Sequence, residues 1–168
     1  MTYERDGFEI VRNALSPQAC DALREAAGDL DRITMPHLPL PPFKVAMVAL
    51  APLARSKIGN SISGLGSDYF SVSAGFATHT DNDYVQALPG TFMSVWLALD
   101  DVTENNGPLA IGGKVVLCAK GDALLIGGDT PHRSCAGRGP RPVALFTYIQ
   151  TGKPFRPGKL QMREEVAL

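Results

Sequence analysis

A histidine and an aspartate two positions apart in FATHTDNDY, residues 76–84, have types and a spacing that could do chemistry. On an extended backbone, residues i and i+2 point to the same side, so His79 and Asp81 can present an imidazole nitrogen and a carboxylate oxygen to one point. Such a pair can hold a metal ion. It can equally lie in an ordinary polar turn, because this spacing occurs by chance in many chains.

His132 supplies a third group of the same kind. It stands in GDTPHRSC, between the strand-like DALLIGG and RPVALFTYI, so a neighbouring strand can carry it back to the first pair. Two histidines and one carboxylate form the facial triad that suits non-haem Fe(II) and leaves coordination positions open for a bidentate 2-oxo acid and dioxygen. The alternative is that His132 caps a loop through a backbone hydrogen bond.

A bound 2-oxo acid would leave its far carboxylate in need of a cationic partner. Arginine fits best, because its planar guanidinium pairs bidentately with a carboxylate and keeps its charge. Arg141 begins the strand-like run after His132, and Arg138 lies in the preceding loop. We expect Arg141 to be the anchor, since a strand residue is held more rigidly. Arg138, the alternative, is expected to be solvated.

Other potential ligands are expected to be inert. We expect His37, in the proline-rich TMPHLPLPPF, to be a solvated loop residue, because no carboxylate, cysteine or second histidine stands near it at ligand spacing. Cys20, Cys118 and Cys135 are widely spaced and lack a CxxC motif, which indicates reduced thiols.

The elements that must position these residues follow a simple order. SPQACDALREAAGDLDRI predicts a helix with Ser16 as N-cap and Pro17 in the first turn. Its apolar stripe consists of Cys20, Leu23, Ala27 and Leu30. KVAMVALAPLARSKIG predicts a second helix that Pro52 could bend.

From residue 69 onward the pattern predicts the strands YFSVSAGFA, FMSVWLAL, KVVLCA, ALLIGG and PVALFTYI. Helices followed by short strands indicate a mainly β fold with N-terminal helices, a helix-buttressed sandwich or jelly roll. We expect one domain over 1–168, with helical support in 1–60, a jelly-roll core at about 66–150 and a tail at 151–168.

The alternation in TFMSVWLAL distinguishes two faces of one strand. One face is uniformly apolar and could lie against a helix: Met93, Val95, Leu97 and Leu99. The other mixes one large ring with small residues, which suits the wall of a cavity: Phe92, Ser94, Trp96 and Ala98.

Charge and composition exclude several classes of protein. The net charge is −1 and the basic residues are scattered, which argues against nucleic acid as a partner. The start MTYERDGFEI carries charges where a signal peptide needs an apolar core, and no apolar run is long enough to span a bilayer. We therefore expect a cytoplasmic protein without a membrane partner.

The ordered motifs GFEIVRNALSPQACDALREA, THTD, SVWLALDDVTENNGPLAI and GDALLIGGDTPHRSCAGRGPRPVALFTYI carry a family resemblance over nearly the whole chain. Together they resemble the phytanoyl-CoA dioxygenase-like (PhyH) family of Fe(II)/2-oxoglutarate-dependent oxygenases. The resemblance implies a cupin-like double-stranded β-helix, with His79, Asp81 and His132 as iron ligands and Arg141 as the anchor of 2-oxoglutarate. It also implies that Trp96 and Ser134 line the co-substrate pocket; the alternative for Trp96 is a plain core residue.

The chain departs from the family after NGPL, where AIGGKVVLCAKGD passes directly to the next strand instead of forming a long insertion. That insertion normally helps to cover the substrate, so the substrate class is not carried over, and no coenzyme A site is identifiable. An open site mouth follows from its loss. Residues 35–68, the tail or a second subunit could close the site, so a homo-oligomer is possible under this expectation.

The activity implied by these residues is that of an Fe(II)- and 2-oxoglutarate-dependent dioxygenase. It would use O2 to hydroxylate a C–H bond of a small molecule and release succinate and CO2. Desaturation or cyclisation at the same iron site is an alternative, whereas Asp81 argues against halogenation because it occupies the position a halide would take. An alternative of another class is a non-catalytic metal-binding jelly-roll module.

Overall fold

Two antiparallel sheets form the framework of the fold, in a computed structural model that describes residues 2–156 and 163–168. The helices are α1 (Tyr3–Asp6), α2 (Pro17–Ala27), α3 (Pro41–Ile58) and α4 (Asn82–Val85). The strands are β1 (Phe8–Val11), β2 (Arg32–Thr34), β3 (Ile62–Phe70), β4 (Phe76–His79), β5 (Phe92–Ala98), β6 (Leu109–Ile111), β7 (Lys114–Val116), β8 (Ala123–Gly127), β9 (His132–Ser134) and β10 (Val143–Gln150).

The strand order shows how the sheets are built. The larger sheet runs β1-β8-β5-β10-β3-β2 and the smaller one β4-β9-β6-β7. Sequence neighbours such as β3 and β4 lie in different sheets, so the chain crosses repeatedly between the two layers. This crossing pattern is that of a double-stranded β-helix, and it confirms the predicted fold class.

Specific residues set the ends of the two supporting helices, α2 and α3. Ser16 caps α2 by accepting a hydrogen bond at its Oγ from the backbone N–H of Ala19, 3.2 Å away. The helix ends at Ala27, so Leu30, expected on its apolar stripe, lies beyond it and is exposed. Helix α3 begins at Pro41, earlier than expected, and includes Pro52.

Helix α3 packs on the outer face of the larger sheet. Met93, Val95 and Leu97 of β5 and the following Leu99 are buried in one cluster with apolar residues of α3. Tyr148 of β10 reaches the same helix and donates its hydroxyl hydrogen to the Met47 carbonyl, 2.8 Å away. The apolar face predicted for this strand is therefore the face that binds the helix.

The opposite face of β5 meets the smaller sheet. Trp96 and Ala98 belong to a second buried cluster with Leu124 and Ile126 of β8 and with β6 residues such as Leu109. This cluster fills part of the space between the sheets. The remaining space holds a cavity, described below.

The predicted strand YFSVSAGFA is wrong as a single element. Strand β3 begins at Ile62 and ends at Phe70, and β4 begins only at Phe76. Between them the chain leaves the larger sheet for the smaller one. Gly75 in this connection has a φ of 85°, a backbone angle that residues other than glycine rarely adopt.

Among the described residues, no helix combines the length and apolarity needed to cross a bilayer.

Candidate metal centre

His79 and His132 face each other across two paired strands. Strand β4 pairs antiparallel with β9, and the register places His79 directly opposite His132, with ring centroids 4.5 Å apart. Asp81 Oδ1 lies 3.7 Å from Nε2 of His79 and 3.6 Å from Nε2 of His132. One ligand atom of each residue lies within 4.8 Å of the other two, a spacing at which a single metal ion can be shared.

Backbone carbonyls orient both imidazole rings. Nδ1 of His79 lies 2.9 Å from the Ala77 carbonyl, and Nδ1 of His132 lies 3.0 Å from the Thr130 carbonyl. A carbonyl oxygen only accepts, so each Nδ1 carries the hydrogen and each Nε2 keeps a free lone pair. The backbone bond expected under the loop-capping alternative for His132 thus exists, and it leaves Nε2 available to a metal.

Asp81 is presented differently from the expectation. Strand β4 ends at His79, and Asp81 has helical backbone angles, φ −64° and ψ −28°, so the i, i+2 argument for an extended chain is wrong here. The turn before α4 brings the carboxylate back beside the histidines instead. A turn of the chain replaces the strand, and the three groups still meet.

A reciprocal pair of hydrogen bonds stabilises that turn. The backbone N–H of Asp83 donates to Thr80 Oγ1 over 3.2 Å, and the backbone N–H of Thr80 donates to Asp83 Oδ2 over 2.8 Å. This is the arrangement of a capping box. These bonds lower the pKa of Asp83, and they leave the Asp81 carboxylate free of any capping role.

Ser94 completes the orientation of Asp81. The fully buried Ser94 hydroxyl, on β5, donates a hydrogen bond to Asp81 Oδ2, so that Oδ1 is the oxygen turned toward both histidines. The strand alternation placed Ser94 on the cavity face but indicated no role for it. Only the pairing of β5 with its neighbours and the turn at Asp81 bring the two residues together.

The candidate metal-binding cluster of His79, Asp81 and His132 lies in the wall of a cavity of about 750 Å³ between the two sheets. Trp96, Ser134 and Arg141 line the same cavity. Ser134 follows His132 by two positions on β9 and therefore points to the same side. Apolar wall residues include Phe70, Phe76, Phe92, Leu109, Ile126 and Leu145.

Arg141 lies buried in this wall, two residues before β10 begins at Val143. Its backbone N–H donates to the Ser71 carbonyl over 2.7 Å, and its guanidinium carbon lies 5.3 Å from the centroid of the Trp96 ring. Among the described residues, Nε and Nη1 of Arg141 have no hydrogen-bond partner. Burial lowers the pKa of Arg141 to about 10, so it stays a cation at neutral pH.

Arg138 lies elsewhere. Its side chain is exposed, and its backbone N–H donates to the carbonyl of Asn105, the first residue of NNGPL, over 2.8 Å. It does not line the cavity. Of the two arginines, only Arg141 lines the cavity that also contains His79, Asp81 and His132.

His37 is not the solvated residue that the sequence predicted. It is 4% exposed, because the proline-rich loop folds back onto β3, where Ser67 Oγ accepts from the His37 backbone N–H over 3.2 Å. The same hydroxyl lies 2.7 Å from His37 Nδ1. Burial, with a smaller contribution from Lys44, lowers the pKa of His37 to about 4. The ring is therefore neutral and fastens the loop.

Two of the segments considered for closure border the cavity. The middle segment contributes Met35 and residues 66–68, and the tail contributes Arg163. Phe155 packs against a small buried cluster that includes Leu65. The intervening tail residues 157–162, with Leu160, lie outside the described residues.

Comparisons with known proteins agree with this geometry. Residues 49–111 match the model of the phytanoyl-CoA dioxygenase (PhyH) family. A comparison with curated protein sequences finds no match.

Solved structures with the same fold cover most of the chain. The non-haem α-ketoglutarate-dependent carbocyclase SnoK from nogalamycin biosynthesis superposes with a TM-score of 0.83 at 15% identity, over 99% of this chain and 91% of its own. The epimerase SnoN from the same biosynthesis gives 0.79 at 19% identity, over 94% and 84%. HygX from Streptomyces hygroscopicus, solved with nickel and 2-oxoglutarate bound, gives 0.78 at 14% identity, over 89% and 84%.

At these identities the structures establish the fold alone, and the similarity to the PhyH family model covers residues 49–111. Both agree with the resemblance seen in the ordered motifs of the chain. The chain therefore has a double-stranded β-helix fold, and its residues 49–111 are similar to the PhyH family.

Proposed function

We propose that this protein is an Fe(II)- and 2-oxoglutarate-dependent dioxygenase that hydroxylates a C–H bond of a small molecule. The observation that carries the proposal is one cavity containing both the His79, Asp81 and His132 cluster and the buried guanidinium of Arg141, whose Nε and Nη1 have no hydrogen-bond partner among the described residues. A metal centre alone would not need such a cation in its wall.

The donor set fits ferrous iron. Two neutral imidazole nitrogens and one carboxylate oxygen are the ligands of non-haem Fe(II) oxygenases, and they leave positions open for exchangeable ligands. A structural zinc site is closed by four protein ligands, whereas the cluster found in the described residues supplies three. The arrangement therefore favours a site that takes further ligands.

The wall of the cavity fits 2-oxoglutarate. A buried guanidinium without hydrogen-bond partners is costly, and a carboxylate would relieve that cost through charge-assisted hydrogen bonds. Arg141 would hold the far carboxylate, with its orientation maintained by the Trp96 ring and by the Ser71 carbonyl. Ser134, on the strand that carries His132, would offer a hydroxyl to the bound co-substrate.

Bound Fe(II) would supply the activation of O2 and the oxidative decarboxylation of 2-oxoglutarate, with one oxygen atom entering succinate and the other the hydroxylated product. The chain's own residues have different tasks. The Nδ1–carbonyl bonds keep both histidines in the ligand tautomer, and Ser94 keeps Oδ1 of Asp81 turned toward them. Buried apolar residues such as Phe92 and Ile126 would exclude water from the reacting C–H bond.

Cyclisation is a second candidate outcome. SnoK is described as a carbocyclase and SnoN as an epimerase, so proteins with this fold perform C–H chemistry other than hydroxylation. Product masses distinguish the outcomes, since hydroxylation adds one oxygen atom whereas desaturation or oxidative ring closure removes two hydrogen atoms.

Anaerobic addition of Fe(II) and 2-oxoglutarate tests the proposal. We expect a weak visible charge-transfer band that is lost in His79→Ala. Arg141→Ala should raise the 2-oxoglutarate concentration needed to form the band by about 10- to 100-fold, because it removes a bidentate charge pair. Arg138→Ala, an exposed arginine three residues away, is the matched control and should leave that concentration unchanged.

Two outcomes would contradict the proposal. One is a band that survives His79→Ala, and the other is a wild-type protein that binds metal but neither forms the band nor releases succinate from 2-oxoglutarate in air. The second result would identify a non-catalytic metal-binding module.

A further inference from the structure

A group of charged side chains lies in the cavity wall away from Arg141. Arg32 of β2, Asp68 of β3 and Arg163 of the tail all line the cavity, and we call them the charged wall. Asp68 lies opposite Leu145 of β10, which in turn lies opposite Trp96 of β5. Asp68 is thus two strands from Trp96, roughly 10 Å along the sheet.

Asp68 is an unusual residue for that position. Its side chain is 26% exposed, yet Oδ1 is buried and has no hydrogen-bond partner among the described residues. The nearest cation, Nη2 of Arg32, lies 3.7 Å from Oδ1, too far for a hydrogen bond. Burial raises the pKa of Asp68, and Arg32 and the Thr34 hydroxyl partly offset this rise. A carboxylate that is poorly satisfied by its own fold is a cost in stability unless a ligand uses it.

The surroundings decide which ligand group fits Asp68. Arg32 and Arg163 already place positive charge beside this carboxylate, so a substrate ammonium would be repelled by both. An anionic group would be attracted by the two arginines and would pair with them rather than with Asp68, which repels it. A neutral hydroxyl can donate a hydrogen bond to the carboxylate without a net electrostatic penalty.

The neighbouring wall is apolar and aromatic. Phe70, Phe76, Tyr84 and Leu145 line the same cavity as Asp68. They offer a surface for a carbon skeleton rather than for a second charged group. The hydrogen-bond acceptor and the apolar wall together describe a molecule with a hydroxyl on an apolar framework.

We propose that Asp68 accepts a hydrogen bond from a hydroxyl of the substrate, and that the substrate is an uncharged hydroxylated compound with an apolar skeleton. This assignment rests on the proposed function, because it takes the charged wall as the substrate end of an oxygenase cavity. Asp68 then sets the orientation of the substrate relative to the metal centre.

Ligand binding tests the assignment without catalysis. Trp96 is the single tryptophan of the chain and lines the cavity, so its fluorescence reports occupancy. The probes share one skeleton and differ in one group: 2-phenylethanol, its methyl ether, 2-phenylethylamine and phenylacetate. Titrations are made on the full chain without added iron, so a failure of the proposed catalysis leaves this result interpretable.

We expect 2-phenylethanol to bind about tenfold tighter than its methyl ether, as for a hydrogen bond to a charged acceptor, and tighter than either charged probe. Asp68→Leu should reduce the ratio between alcohol and ether to about one. Asp68→Asn, which keeps the shape of the side chain with a weaker acceptor, should give an intermediate ratio. The exposed Asp29→Asn is the matched control and should keep the wild-type ratio.

Three results would each overturn the assignment. They are tighter binding of phenylacetate or 2-phenylethylamine than of the alcohol, an alcohol preference that persists in both Asp68 variants, and no probe-dependent change of Trp96 fluorescence up to about 50 mM, where even millimolar affinity would be visible. The charge-transfer band described above is independent of all three.

Discussion

At the scale of single residues, the orientation of side chains depends on partners that carry no chemistry of their own. Ala77 and Thr130 contribute only carbonyl oxygens, and these decide which imidazole nitrogen of each histidine is free. Ser94 decides which oxygen of Asp81 faces the histidines. Groups that hold metal ligands in this way usually contribute substantially to affinity.

Removing the Ser94 hydroxyl tests this dependence. We expect Ser94→Ala to weaken Co(II) or Fe(II) binding by about 10- to 100-fold, because Asp81 loses the bond that fixes its orientation. Metal titration monitored by absorbance measures the change, and circular dichroism verifies the fold. Ser56→Ala removes an exposed hydroxyl on α3 and should bind metal as the wild type does. An unchanged affinity in Ser94→Ala would refute the positioning role.

At the scale of elements, the loop 35–40 is held to β3 by His37 and Ser67. The backbone N–H of Met35 also donates to the Ser67 carbonyl over 2.8 Å, so the loop that contributes Met35 to the cavity is anchored at one residue of the sheet. Protonation would place a positive charge on the buried ring of His37, and burial disfavours that charge.

This contact predicts a pH dependence. His37 has a folded-state pKa of about 4, below the ordinary value of 6.5, so the unfolded chain binds more protons between these values. The contribution of neutral, buried His37 is fully present above about pH 6.5 and is lost as the pH falls toward 4. Thermal midpoints of wild type and His37→Asn, measured from pH 7 to 4, should show a shallower acid loss in the variant. Parallel curves would contradict this account.

The sequence predicted these elements unequally, for physical reasons. The alternation in β5 identified its helix-facing and cavity-facing sides, because a side-chain period of two is a local property. His37 was misjudged because its burial depends on where a proline-rich loop packs, and no local pattern carries that information. Asp81 was expected on an extended chain, whereas the Thr80–Asp83 capping box ends the strand. Ser94 had no signal, since its partner is distant in sequence.

At the scale of the whole molecule, the chain's last residues return to the larger sheet. Gly64 and Val166 exchange backbone hydrogen bonds of 2.9 and 2.7 Å, and Glu165 accepts from the Ser63 hydroxyl over 2.6 Å. Arg163 reaches the Tyr84 carbonyl over 3.3 Å, at the cavity. The tail thus joins β3 to the segment that follows Asp81.

Deleting residues 163–168 should therefore open the cavity and destabilise the fold. We expect acrylamide to quench Trp96 fluorescence about twofold more efficiently, because Arg163 no longer borders the cavity, and the thermal midpoint to fall by several degrees. Glu164→Ala, an exposed neighbour in the same tail, should change neither quantity. If the truncated chain keeps wild-type quenching, the tail does not cover the site.

The register that sets His79 opposite His132 has a consequence for folding. These residues come from distant parts of the chain, and all three cysteines are free. An ion bound between them would act as a non-covalent cross-link, closing a long loop that no disulfide closes. Because the unfolded chain does not hold the ligands together, the free energy of binding would add directly to the free energy of unfolding. The bound ion would then stabilise the smaller sheet in addition to its role in the proposed reaction.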